Sequence, residues 1–504
     1  MIRLRWRIIG LCFLVLVSLL VSGCFGLWSG GTKSEGPVDV KVRNPSPTGR
    51  YVIVFKENAI PPEARTSIEA LGAKILAEFA PIGVLVAYSA DPDFPNQVLS
   101  IPEVLEIGAD PIIELPELPD DPIVGIEPPA DPVPVEPLGR LQPSQLPIDQ
   151  NVLYVRYQWD IKRVGGVEAT WLITMGEGVT VAVLDTGVYS NRYPGAIYHP
   201  DYPTHPDIEA NLAYGKSFVN PEEFIPYGYT PLDDGTPQDY YGHGTHVAGA
   251  IAATMYNGLI IGVAPAASIA NYKVLATVQR PDGSIGGSGF SAWIIAGLMA
   301  VAEDAAAENI RVANMSLGGA GLLTDPEDLA WYLAYCRAAQ YAWEKGVLVV
   351  ASAGNSALDW SRGPWRRWPG MAPATLAVTA TGPDDKLAFY SDYGAFNADF
   401  TGPGGSIPEQ TYPYYWYDWY CLSSWSPVSQ LPGFWGARWV FSIGTSMAAP
   451  KVSGVATLVF AKNPGITPSQ VVRILERTAE DLGAPGFDFE YGWGLAHAYR
   501  ALTQ

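Results

Sequence analysis

Basic charge is what this chain has least of: 31 lysines and arginines stand against 51 aspartates and glutamates, a formal net charge of −20. Too little positive charge is available to neutralise a phosphate backbone, which excludes nucleic acid as a partner; the acidity serves solubility. Histidine is rare as well. The five are His199, His205, His243, His246 and His497, so imidazole chemistry has few places to sit. His243 and His246 are three residues apart with no glutamate between them, which does not make the i, i+4 pair of a zinc-protease helix. Cysteines number four, and the one long apolar run is Ile8 to Val21. Against these scarcities stand 504 residues with 48 % apolar content, enough for a large core and more than one folding unit and too much for a mainly disordered chain.

The apolar run follows Arg3, Arg5 and Arg7 and ends at Val21-Ser22-Gly23-Cys24, the layout of an export signal over 1–23. The small residues before the cysteine resemble the lipobox of bacterial lipoproteins. That implies cleavage before Cys24, a lipid on Cys24, and a chain exported to the cell envelope or surface, tethered to its membrane or released outside after processing. An ordinary signal peptide is one alternative; the other is an uncleaved anchor over 8–28, just long enough to span a bilayer. Cys12 leaves with the signal, so Cys336 and Cys421 remain, either paired or separate.

Residues 25–48 are a Gly/Ser-containing tether. From 49 to 115 the pattern gives strands at Tyr51 to Phe55, Lys74 to Phe79 and Val84 to Tyr88, helices from Pro61 to Leu71 and Phe94 to Ser100, and an extended stretch from Val104 to Ile113. That β-α-β-β-α-β order predicts a small ferredoxin-like α+β domain. Residues 116–147 are proline-rich and read as an extended linker. From 148 to 504 apolar strands alternate with helices. The strands are Gly178 to Leu184, Ile269 to Leu275, Val312 to Leu317, Val347 to Ala351 and Leu376 to Ala380. The helices are His243 to Met255, Ala292 to Glu308, Pro326 to Lys345 and Ser446 to Lys462. This predicts a doubly wound, mainly parallel α/β sheet covered on both faces, with functional residues at the carboxyl ends of its strands. A capping box at Thr467-Pro468-Ser469-Gln470 launches a last helix.

Gly444-Thr445-Ser446-Met447-Ala448-Ala449-Pro450 sets a serine at a helix N-terminus, with Pro450 in the first turn where a missing N–H costs little. Unpaired backbone N–H groups there favour a developing negative charge and so suit a nucleophile, although the same turn also serves as a plain N-cap. A serine hydroxyl needs a base, and the base needs a group that fixes its tautomer. His243 opens a small-residue helix. Asp185 stands at the exit of a buried strand, where a carboxylate requires a hydrogen-bond donor.

Three segments in this order, Asp185-Thr186-Gly187, His243-Gly244-Thr245-His246-Val247-Ala248-Gly249 and Gly444 to Pro450, resemble the signature motifs of the subtilisin-like serine proteases. The likeness continues through Gly262-Val263-Ala264-Pro265, Asn314 to Gly319, Ala353-Gly354-Asn355 and Tyr491-Gly492-Trp493-Gly494. An α/β-hydrolase is excluded, because its nucleophile comes first and sits in Gly-x-Ser-x-Gly. The resemblance implies a subtilisin-like fold over 148–504 and a monomeric serine endopeptidase acting on proteins or peptides. Ser446 is then the nucleophile, His243 the general base, Asp185 its orienter and Asn355 a side-chain oxyanion donor.

By the same resemblance Ser316-Leu317-Gly318 and Ala351-Ser352-Ala353-Gly354 wall the pocket for the residue before the cut bond, a slot suited to large apolar side chains. Arg362, Arg366 and Arg367, interleaved with Trp360, Trp365 and Trp368, read as a solvated loop, the alternative being a basic pocket floor. The 49–115 domain resembles the family's propeptide in element order, which implies a precursor inhibited by its own N-terminal domain and cut between 116 and 150, the alternative being a permanent N-terminal module. No cofactor is implied for catalysis. A structural calcium is implied at Asp207, yet Thr254 to Ile261 lacks the usual asparagine pattern, so Asp207 reads either as a ligand or as a turn residue. An aromatic insertion over about 405–440, dense from Tyr412 to Tyr420, is read as a loop packed on itself and on the catalytic domain rather than as a rim gripping substrate or a patch binding protein or glycan.

Overall fold

The computed structural model describes residues 46–115, 148, 152–256, 258–407 and 416–504. The export signal, Cys24, the tether up to residue 45 and the linker 116–147 lie outside the described residues.

Every side chain of Tyr51-Val52-Ile53-Val54-Phe55 is apolar, and a strand apolar on both faces has to be covered on both. Its strand, Arg50–Phe55, lies inside a four-stranded antiparallel sheet in the order Lys74–Phe79, Val84–Tyr88, Arg50–Phe55, Val104–Ala109. Tyr51, Ile53 and Phe55 pack with Ile68 and Phe94 of the domain's own two helices, Pro62–Ala70 and Phe94–Leu99. Val52 and Val54 turn the other way, into a core shared with Trp331 and Tyr335 of the helix Pro326–Glu344. The expected ferredoxin-like unit is therefore present, with its open sheet face packed on the larger domain. Arg337 of that helix seals the contact by donating to Phe55 O and Ile82 O, both at 2.9 Å.

The stretch expected to be extended from 104 to 113 breaks in two. Pro111 has no N–H to continue a ladder, and Asp110 turns its carboxylate onto Ala292 N, 2.9 Å away, at the start of the helix Ser291–Asp304. The chain then resumes as Ile112–Glu114, antiparallel to Ile285–Phe290 of a different sheet.

The larger domain is built on seven parallel strands. In spatial order they are Phe400–Pro403, Thr375–Thr381, Leu348–Ser352, Ile310–Met315, Thr180–Asp185, Ser268–Lys273 and Leu212–Ser217. Alternation along the strands assigns the faces. Ala182, Leu184, Ala313 and Met315 join the core under helices Ser291–Asp304 and Pro326–Glu344. Asn314, between two of them, points the other way and accepts from Ser453 of the helix Thr445–Lys462. Both faces are covered, as the apolar strands require. The two outermost strands leave little trace in the sequence, since Leu212–Ser217 and Phe400–Pro403 carry few branched residues. The capping box forms at Thr467 and Gln470, but the helix it starts is followed by another, Ala498–Thr503. Cys336 and Cys421 are both buried and both free.

Candidate active site

Three chain segments converge at the carboxyl end of the sheet. Thr180–Asp185 delivers Asp185 fully buried at its last position. The helix His243–Ala252 crosses this strand end so closely that a Cβ at Gly244 would lie 2.1 Å from Gly187 O; only glycine permits the approach. The result is a direct bond, His243 Nδ1 to Asp185 Oδ1 at 2.7 Å, with Thr186 N donating to the same oxygen at 2.8 Å. Burial works to lower the His243 pKa, but the Asp185 carboxylate, with a smaller contribution from Asp239, outweighs it and leaves the imidazole above its usual 6.5.

Ser446 is the second residue of Thr445–Lys462, a helix packed against the histidine helix. Its hydroxyl donates to Ser316 O at 3.2 Å. Pro450 is the sixth residue of this helix, not part of its first turn, so its missing N–H falls where Ser446 O expects a partner. Ser316 Oγ supplies one at 2.9 Å, and is itself bonded by Asn314 Nδ2 at 2.9 Å. Asn355 is anchored through its oxygen, which accepts from Thr445 N at 2.9 Å and Thr445 Oγ1 at 2.7 Å. Its amide nitrogen faces Gly444, 3.4 Å from where a Cβ there would lie. Asp185 and His243 are thus bonded to each other, and Asn355 is bonded to Thr445, the residue before Ser446, on a helix packed against the histidine helix.

The Subtilase family model matches residues 176–494, more than half of the chain. The chain belongs to the subtilase family. Subtilisin Savinase of Lederbergia lenta is 34 % identical over 343 residues, covering 68 % of this chain and 97 % of that protein. Subtilisin E of Bacillus subtilis is 35 % identical over 326 residues, 65 % of this chain and 66 % of its own. Among solved structures, the epidermin leader peptide processing serine protease of Staphylococcus aureus superposes with a TM-score of 0.64 at 20 % identity, covering 90 % of this chain and 97 % of that one. Fervidolysin of Fervidobacterium pennivorans gives 0.61 at 21 % identity, over 93 % and 62 %. At these identities the two structures speak for the fold, while the family match makes this subtilase a serine endopeptidase.

The expected pocket walls are only partly as expected. Ser316 is fully buried and spends its hydroxyl on Ser446 O rather than on the slot, and Leu317 is buried beside it. On the other wall, Ala351, Ser352, Ala353 and Gly354 are buried at and beyond the end of Leu348–Ser352. Arg367 runs against Gly354, where a Cβ would meet its Nε at 2.2 Å, and faces Asp392 at 3.6 Å. The solvated-loop reading fits Arg362, which is exposed, but not Arg367.

A calcium at Asp207 does not fit. Asp207 is fully buried, and N–H donors take the places a cation would need: Leu259 N at 2.6 Å and Ile260 N at 3.0 Å on Oδ1, and Trp439 Nε1 at 2.7 Å on Oδ2. Among the described residues no cluster of three or more histidine, cysteine or acidic side chains could hold a metal.

The described part of the aromatic insertion packs along the histidine helix. Cys421–Ser424 pairs with Trp439–Ser442, Ser423 Oγ donates to His246 O at 2.7 Å, Ser424 Oγ donates to Thr245 O at 2.8 Å, and Trp425 is buried against Gly242. Residues 408–415 lie outside the described residues.

Asp239, which stands in no motif, positions the histidine helix. Buried four residues before His243, it accepts from Gly242 N, Tyr241 N, Thr245 N, Thr245 Oγ1 and Thr186 Oγ1, which ties the histidine helix to the aspartate turn. The sequence signal is an acid just ahead of a helix start, where first-turn N–H groups lack intrahelical acceptors.

Proposed function

We propose that this subtilase is made as an exported precursor, lipid-tethered through Cys24, in which Ser446 attacks the peptide carbonyl. The bond that carries the reading is His243 Nδ1 to Asp185 Oδ1 at 2.7 Å. With Nδ1–H committed to Asp185, Nε2 is left as the base. Rotation of the Ser446 hydroxyl away from Ser316 O brings its proton to Nε2 as the Oγ–carbon bond forms. The oxyanion is stabilised by Ser446 N–H and Asn355 Nδ2. The protonated His243 then gives its proton to the leaving amine, and water repeats the sequence on the acyl-enzyme.

Two observations support the precursor reading. The ferredoxin-like unit over 49–115 packs its open face on the catalytic domain, and its last segment, Ile112–Glu114, pairs with Ile285–Phe290. The lipid tether rests on the Val21-Ser22-Gly23-Cys24 layout.

Treatment of the purified chain with a fluorophosphonate should give a stoichiometric adduct at Ser446 that is absent in Ser446→Ala and His243→Ala. The same mass spectra should show a diacylated Cys24 and a cut between 116 and 150. No adduct, even with the N-terminal region removed, would make the chain an inactive scaffold.

A further inference from the structure

The cleft holds a contact that neither the fold nor the triad needs. Ile112–Glu114 lies antiparallel to Ile285–Phe290 with Glu114 opposite Ser288 and Ile113 opposite Gly289, and Leu115 N donates to Gly287 O at 2.8 Å. Leu115 rests next to Thr186, the neighbour of Asp185: a Cβ at Gly287 would meet Thr186 Cγ2 at 2.8 Å and Leu115 Cδ1 at 2.9 Å. The segment therefore runs along an edge strand toward the triad, as an extended substrate would.

The Glu114 carboxylate is gripped. Tyr229 OH donates to Oε1 at 2.7 Å, and Arg280 Nε stands 3.4 Å from the same oxygen. Arg280 Nη2 also donates to Leu115 O at 2.8 Å, so one guanidinium reads a side chain and the next backbone carbonyl. The arginine is built into the wall, with its side chain 6 % exposed against 39 % for Glu114. It lies on Gly286, where a Cβ would come within 2.3 Å of Nη2, and its backbone N–H is fixed to Ser284 O at 2.8 Å. Asp282, in the same hairpin turn, spends its carboxylate on Ser284 N and Ser284 Oγ, at 2.9 and 2.8 Å. The cation and the phenol thus belong to the enzyme, and the carboxylate is what the occupant brings.

We propose that Arg280 and Tyr229 form an acidic subsite on the Ile285–Phe290 edge, which selects substrates carrying glutamate or aspartate opposite Ser288. This inference rests on the protease reading of the cleft given above. A charge-assisted hydrogen bond with a partly exposed ion pair suffices for about a tenfold preference.

The test uses the purified full chain and peptides copying residues 110–119 with Glu, Gln or Lys at the position of Glu114. Each peptide is followed for cleavage and as a competitor of fluorophosphonate labelling at Ser446, so one that binds uncut still reports. The Glu peptide should be cut or should protect about tenfold better than the Gln peptide, with Lys last. Tyr229→Phe should narrow the gap, and Arg280→Glu should invert it in favour of Lys. A folding defect lowers all three peptides together and cannot invert their order. Equal behaviour of the three peptides, or an unchanged preference in Arg280→Glu, overturns the subsite. A peptide-free chain that takes no label overturns the protease reading instead.

Discussion

His243 and His205 each have an aspartate beside Nδ1, Asp185 at 2.7 Å and Asp207 at 3.5 Å, and the two pairs end in opposite states. At His205 the ring Nδ1 accepts the backbone N–H of Asp207 at 3.2 Å, and Nε2 meets Arg438 O at 2.8 Å. The proton is therefore on Nε2, and Nδ1 has none to give to a carboxylate. Burial pushes His205 down to about 4 and Asp207 up to about 6, three N–H donors holding the carboxylate pKa from rising further. At His243 no backbone N–H among the described residues claims Nδ1, the aspartate accepts its N–H, and the ring is held above 6.5. Proximity of the two residue types does not make a catalytic pair. The tautomer decides, and a backbone amide two residues along can decide it.

Exchanging the aspartates for asparagines tests this most severely. Asp185→Asn presents an amide N–H to Nδ1, forces the other tautomer and should lower turnover by about 10⁴-fold with the fold intact. Asp207→Asn should leave turnover within a few-fold and cost about 2–4 kcal/mol of stability, because the three N–H donors lose their charged acceptor. Peptide hydrolysis rates and thermal melts, the latter in a Ser446→Ala background that cannot digest itself, separate the two. A comparable loss of turnover in both variants would erase the distinction.

The inert pair also predicts a hidden pH dependence. Between the ordinary 3.8 of an aspartate and about 6, folded Asp207 keeps a proton that the unfolded chain releases, so stability falls as pH rises through that window. Between about 4 and 6.5 the unfolded chain binds a proton that folded His205 refuses, so stability rises with pH. Each slope amounts to about 3 kcal/mol, and in the parent they nearly cancel. Asp207→Asn should unmask a rise from pH 4 to 6.5 relative to the parent, and His205→Asn a fall from pH 4 to 6. His246, pushed down to about 3 by burial, adds the same rising slope to every variant and drops out of the differences. Identical pH curves for the three proteins would show that neither group is perturbed by folding.

What could be read in the sequence follows the same division. The places of Asp185, His243, Ser446 and Asn355 in the fold are legible because each stands in a short local motif at a strand end or helix start, and the ferredoxin-like unit is legible from its order of apolar runs. Asp207 is legible only as a ligand or a turn residue, since the donors that displace a cation come from Leu259, Ile260 and a tryptophan 232 residues away. Distance in sequence also hides the partner of Ser446 O: Ser316, 130 residues upstream, fills the bond that Pro450 cannot make. Asp239 and Arg280 carry no motif at all. Their roles emerge only once the turns that surround them are folded.

Trp439 offers the finest cut at the comparison, because its Nε1 donates to Asp207 Oδ2 at 2.7 Å and it belongs to the insertion rather than to the triad. Trp439→Phe removes this donor and keeps most of the buried ring. The lost bond to a charged acceptor should cost about 1.5 kcal/mol, and Asp207, with one donor fewer, should hold its proton to a higher pH. The fall in stability with rising pH should then extend further toward neutrality than in the parent, while peptide hydrolysis is unchanged. The double variant with Asp207→Asn should be close to Asp207→Asn alone, since both substitutions remove the same bond. Full additivity of the two would mean that Trp439 acts by packing against His205, its ring neighbour at 5.7 Å, and not through the carboxylate.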